Sequence, residues 1–109
     1  MDAPELTIAI EEAEGAVVLA VEGEIDLVTS IQLKRACDGV LDRSPPPARI
    51  TADLAGVGFM DTSGVAVLLA ARRRADEVGC PFVVTSTSPF LTRLFEITGI
   101  GRVLLGESR

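Results

Sequence analysis

No regular element can pass through Ser44-Pro45-Pro46-Pro47. Proline lacks the amide hydrogen that a helix interior needs, and its ring drives the residue before it into extended backbone. Any element arriving at residue 44 must stop there, and a new one must begin beyond the prolines. The arriving segment has helical spacing, with Ile31, Leu33, Ala36, Val40 and Leu41 supplying an apolar face. The departing segment, Ala48 to Leu54, puts Ile50, Ala52 and Leu54 on one side at strand spacing. A helix between two strands is a crossover, so this strand is expected to run parallel to an earlier one.

Two earlier strands are available. Leu6, Ile8 and Ile10 alternate with Thr7, Ala9 and Glu11, the period of a half-buried strand. Glu14-Gly15 interrupts, and Ala16 to Val21 follows as an unbroken apolar run, expected to be buried on both faces. The short gap predicts a hairpin. Gly23 is expected to close the second strand. The helix after it has two possible starts: Thr29 with Gln32 fits a capping box, and Asp26 can cap an earlier one.

Beyond residue 54, "AGVGFMD" reads as a turn into a second helix from about Ser63 to Val78, with Val65, Leu68, Leu69, Ala75 and Val78 as its buried stripe. Gly79 occupies the position after it that favours a left-handed residue. Phe82 to Thr85 reads as a fourth strand. Ser88 caps a third helix with Pro89 in its first turn, and Phe90, Leu94 and Ile97 are expected to face the core. Gly99 ends it, with Ile100 folding back on the last turn, and Arg102 to Leu105 reads as a short strand or extended tail. The order β-β-α-β-α-β-α predicts an α/β fold. It would be one domain over 1–109, a small mixed sheet of four to five strands with helices mainly on one face.

The composition closes several routes. With no histidine, there is no imidazole base and no histidine metal site. Cys37 and Cys80 are far apart in sequence and cannot make a tetrahedral zinc site; they read as buried thiols. No phosphate-cradling glycine loop is present. No cofactor is expected, and an enzyme is disfavoured. Net charge is −6, and residues 1 to 26 carry eight acids and no base, which argues against nucleic acid. Arg72, Arg73 and Arg74 fan around a helix and read as solvated surface. No apolar run is long enough to insert in a membrane, and the first residues lack the pattern of a signal peptide, so a cytoplasmic protein is expected.

The segment with chemical interest is "GFMDTSGVAVLL", residues 58 to 69. Asp61, Thr62 and Ser63 can each cap a helix, and one cap is enough. At least one hydroxyl should therefore be free and exposed. A phosphate there would add about −1.5 to −2 charge. The helix dipole would tolerate it, while a docking partner would be repelled.

"VEGEIDLVTS", "DLAGVGFMDTSGVAVLL" and "SPFLTRLFEITGI" together resemble the STAS-domain anti-sigma factor antagonists of bacteria, over nearly the whole chain. The resemblance implies a partner that is both an anti-sigma factor and an ATP-dependent Ser/Thr kinase. Binding it frees a sigma factor; phosphorylation inactivates the antagonist, and a metal-dependent Ser/Thr phosphatase restores it. The family's acceptor, the first hydroxyl after the aspartate, falls on Thr62, where simple antagonists usually carry Ser; Ser63 is the alternative. Asp26, Asp61, Gly64 and Val65 are carried over as partner-binding positions, with Gly64 and Val65 offering a smooth helix face. The same resemblance admits a STAS interaction subunit of a stress-signalling scaffold or of a lipid-transport ATPase complex.

Overall fold

The computed structural model describes residues 6–104. Strands β1 (Thr7–Ala13), β2 (Ala16–Ile25), β3 (Arg49–Met60) and β4 (Phe82–Thr87) form one mixed sheet in the order β1-β2-β3-β4. β1 is antiparallel to β2, and β2, β3 and β4 run parallel. Helices α1 (Thr29–Leu41), α2 (Thr62–Glu77) and α3 (Pro89–Thr98) make the connections expected from their positions, followed by a short α4 (Gly101–Leu104).

The hairpin turns on Glu14 and Gly15, both at positive φ, closing the Ala13–Ala16 pair. Two consecutive left-handed residues match the twist of the flanking strands. β2 is buried on one face only: Val17, Leu19 and Val21 are in the core, while Ala16, Val18 and Ala20 are partly exposed. The expectation of burial on both faces fails because the helices cover one face of the sheet. Ile10 is also more exposed than expected, since β1 lies at the edge.

Gly23 does not end β2. The strand passes through it at φ +123 with irregular register on either side and continues to Ile25. β3 likewise runs on where a turn was expected, pairing Gly56 with Glu22 and Met60 with Ile25. A Cβ on Gly56 would come within 2.6 Å of Glu22 Cγ, so its glycine reflects close strand packing rather than a turn. This prolonged pairing carries both strands to a shared end, where the candidate site lies.

The core joins Leu19, Ile50, Ala52 and Leu54 of the sheet to Leu33 and Val40 of α1, and Leu68 and Ala75 of α2. α1 and α2 are also tied at their surfaces, where Arg74 pairs with Asp38 at 3.1 Å and with Asp42. Arg74 is therefore a cross-helix clamp, not just solvated surface. Cys37 and Cys80 are both buried free thiols.

Leu33, Val40 and Leu41 of α1 and Leu68 and Ala75 of α2 are buried as expected; one residue departs on each of these faces, and two of the three expected residues depart on α3. Ile31 is exposed on α1, where Cys37 takes the interior position. Val78 lies just past α2 and is exposed. α3 buries Leu91 and Phe95, leaving Phe90 and Ile97 outside. Apolar residues surround much of α3, so spacing alone supports two registers. Its cap does not: Ser88 accepts from Leu91 N, Pro89 opens the helix and Gly99 closes it at φ +77, all as expected. The chain then makes α4 rather than a strand; Leu105 lies outside the described residues.

Candidate functional site at the head of the second helix

Asp61 is the N-cap of α2. Its backbone is extended, at φ −104 and ψ −171, and its Oδ1 accepts from Ser63 N at 2.8 Å. Its carbonyl accepts from Gly64 N at 3.1 Å and Val65 N at 3.3 Å. The carboxylate thus does the capping. The hydroxyls of Thr62 and Ser63 make no hydrogen bond among the described residues. Thr62 is exposed and Ser63 is half-buried. The surplus visible in the sequence is real, and it amounts to two hydroxyls.

Gly64 is buried for an internal reason. A Cβ there would sit 2.6 Å from Ile25 Cγ2 and 2.7 Å from Met60 Cγ. The missing side chain lets α2 settle onto the last pair of the β2–β3 ladder. It does not leave a smooth outer surface, as had been expected. Val65 is half-buried and packs on the core. Of the four carried-over positions, Asp61 and Asp26 are the ones that border the exposed hydroxyl's surface.

Asp26 begins the β2–α1 loop. Its Oδ1 accepts from Val28 N and Thr29 N, each at 2.9 Å, and its carbonyl accepts from Ser30 N at 2.8 Å. Thr29 Oγ1 accepts in return from Asp26 N at 2.9 Å and donates to Glu24 O at 2.8 Å. This is the reciprocal logic of a capping box, three residues earlier than the Thr29–Gln32 pairing. Gln32 instead donates to Leu6 O at 2.7 Å. The amide of Thr29, with smaller contributions from its hydroxyl and from Val28 N, holds the Asp26 carboxyl below the ordinary aspartate value.

One bond joins the two loops. Asp61 N donates to Ile25 O at 3.1 Å, extending the β2–β3 pairing by one step past Met60. The Asp26 loop and the Thr62 helix start are therefore neighbours on one rigid edge. Ser88 is not part of it. Its Oγ donates to Val57 O at 2.5 Å and accepts from Leu91 N at 3.2 Å, wholly inside the protein. Sequence reasoning passed over Leu27 and Val28, which are 72% and 74% exposed on this edge. Two large apolar residues directly after a loop carboxylate were the available signal.

Chemically, an unbonded hydroxyl at a helix start is suited to receive a phosphate, whose charge the helix dipole favours by a few tenths to about 1 kcal/mol. The neighbouring carboxylate accepts from Ser63 N through Oδ1.

A mixed four-stranded sheet with the element order β-β-α-β-α-β-α defines the STAS class of α/β domain. Residues 8–106 match the family model described as "Mlab, STAS domain". The chain is 31% identical over 100 residues to the anti-sigma-B factor antagonist of Listeria monocytogenes, covering 91% of this chain and 86% of that one. It is 26% identical to the anti-sigma F factor antagonist of Paenibacillus polymyxa, covering 91% and 84%. The crystal structure of an anti-sigma factor antagonist from Mycobacterium paratuberculosis superposes with a TM-score of 0.80 at 29% identity, covering 95% and 87%. The chain belongs to the STAS-domain anti-sigma factor antagonist family.

Proposed function

We propose that this protein is a phosphorylation-switched anti-sigma factor antagonist acting in the cytoplasm. Unphosphorylated, it binds an anti-sigma factor that is also an ATP-dependent Ser/Thr kinase, and so releases a sigma factor. That kinase phosphorylates Thr62, with Ser63 as the alternative acceptor, and a metal-dependent phosphatase reverses the change. The partner contacts the surface bordered by Asp26, Asp61 and Thr62, with Val65 at its margin and Gly64 supporting it from beneath. The observation that carries this reading is the division of labour at residues 61 to 63, where a carboxylate caps the helix and leaves the hydroxyls unbonded. The fold tolerates the added charge, and the docking surface does not.

The test is to incubate the protein with its cognate kinase and ATP, map the phosphate and repeat with Thr62→Ala and Ser63→Ala. Phosphate on Thr62, lost in Thr62→Ala alone, is the expected result. Absence of phosphate from both positions would sink the switch. A second reading, a constitutive STAS subunit of a stress-signalling scaffold or lipid-transport ATPase complex, draws on Thr62 standing where simple antagonists usually carry Ser. Stable co-purification with a transporter ATPase, unaffected by a Thr62→Glu substitution, would favour it.

A further inference from the structure

The edge that carries Thr62 also carries Leu27 and Val28, with Ile31 51% exposed in the first turn of α1. The backbone beneath them is fixed at both ends. Asp26 Oδ1 holds Val28 N and Thr29 N, Thr29 Oγ1 returns to Asp26 N and Glu24 O, and the Asp61–Ile25 bond fastens the loop to the α2 start. Apolar groups presented on an ordered backbone lose little conformational freedom on binding, which is the condition for anchor residues at an interface.

We propose that Leu27 and Val28, backed by Ile31, are the apolar anchors by which this chain docks on its anti-sigma factor, and that Asp26 is the positioning residue that presents them. This rests on the functional reading above and adds which side chains supply the affinity. The surroundings select the occupant. Glu24, Asp26 and Asp61 stand at the shared end of β2 and β3 beside the patch, with Lys34 and Arg35 a turn along α1 from Ile31, on a chain of net charge −6. A second copy would bring the same carboxylates against them, and an anionic lipid surface would repel them. A protein pocket with an apolar floor and a basic rim fits both components. A phosphate on Thr62 would then lie at the edge of a desolvated apolar contact, where added charge is most disruptive.

The test compares Leu27→Ser/Val28→Ser, Asp26→Ala, Asp26→Asn and Thr62→Glu with wild type, using purified anti-sigma factors from the same genome, titration calorimetry and thermal unfolding. Two lost anchors should weaken binding roughly 50-fold or more, with unfolding unchanged because neither side chain is in the core. Asp26→Asn keeps an oxygen acceptor at Oδ1 and gives up one charge toward the basic rim, so it should lose only a few-fold, clearly less than Asp26→Ala. Asp26→Ala should weaken binding and speed amide exchange at Val28 and Thr29. Four results would overturn the proposal. The double variant could bind within about twofold of wild type while Thr62→Glu abolishes binding, leaving the functional reading intact. Asp26→Asn could lose as much as Asp26→Ala, making Asp26 a direct charge contact. Light scattering could find a wild-type dimer that the double variant dissolves. Finally, wild type could bind no anti-sigma factor, in which case the functional reading falls first.

Discussion

Helices α2 and α3 start in similar ways and use their hydroxyls in opposite ways. At α3, Ser88 is buried, caps Leu91 N and donates to Val57 O, so its hydroxyl is fully engaged in holding the helix to β3. At α2, Asp61 takes the capping role, and Thr62 and Ser63 are left unbonded. A carboxylate cap frees hydroxyls for other chemistry; a serine cap does not. The difference separates structural hydroxyls from available ones on the basis of bonding, not residue type.

This comparison can be broken in four ways, from largest expected effect to smallest. Thr62→Glu should weaken anti-sigma factor binding about 100-fold, or ~2.7 kcal/mol. Thr62→Ala should leave it within a few-fold by the same calorimetry; equal losses would mean that contact, not charge, matters at this hydroxyl. Gly64→Ala should destabilise the fold by about 1–2 kcal/mol in urea unfolding. Overpacking against Ile25 and Met60 costs roughly 1–3 kcal/mol, and alanine's better helix propensity returns up to about 1.

Ser88→Ala should cost about 1–2 kcal/mol, since it removes a cap and leaves a buried carbonyl unpaired. Thr62→Ala and Ser63→Ala should each stay within about 0.5 kcal/mol. If all three alanine variants melted together, the distinction between the two helix starts would be wrong. The weakest effect is that of pH on the Asp26 loop. Its carboxyl is held below the ordinary value by Thr29 N. Its contribution is therefore present above the unfolded pKa and lost as pH falls through the folded one. NMR shifts of Val28 and Thr29 should hold from neutrality down to about pH 4 and change only below it.

Where a residue's own chemistry decides, the sequence was readable. Glu14-Gly15, Ser88-Pro89 and Gly99 act through backbone geometry that needs no distant partner, and each stands where local reasoning puts it. Where packing decides, it was not. α3 could bury Phe90 and Ile97 or Leu91 and Phe95, and only the neighbouring sheet chooses. Gly56 imitates a turn inside β3, because close strand pairing and a bend both call for glycine; a Cβ at Gly58 would meet nothing, so no packing demands that second glycine. At the site, a surplus of caps was legible, as was the need for at least one free hydroxyl. That Asp61 would be the cap, and that Asp26 would build its own capping box, depended on a strand register that appears only once β2 and β3 pair to their ends.

The two thiols carry a consequence for signalling. Cys37 is buried, and desolvation, with Asp38 nearby, pushes its pKa up to about 12; burial also raises Cys80. Peroxides and electrophiles react with thiolates, and neither cysteine offers one near neutral pH. An oxidant in the cell would therefore leave little direct mark on this protein through its two thiols. On the proposed reading, oxidative news that the cysteines do not register would arrive second-hand, through the kinase proposed to act on Thr62.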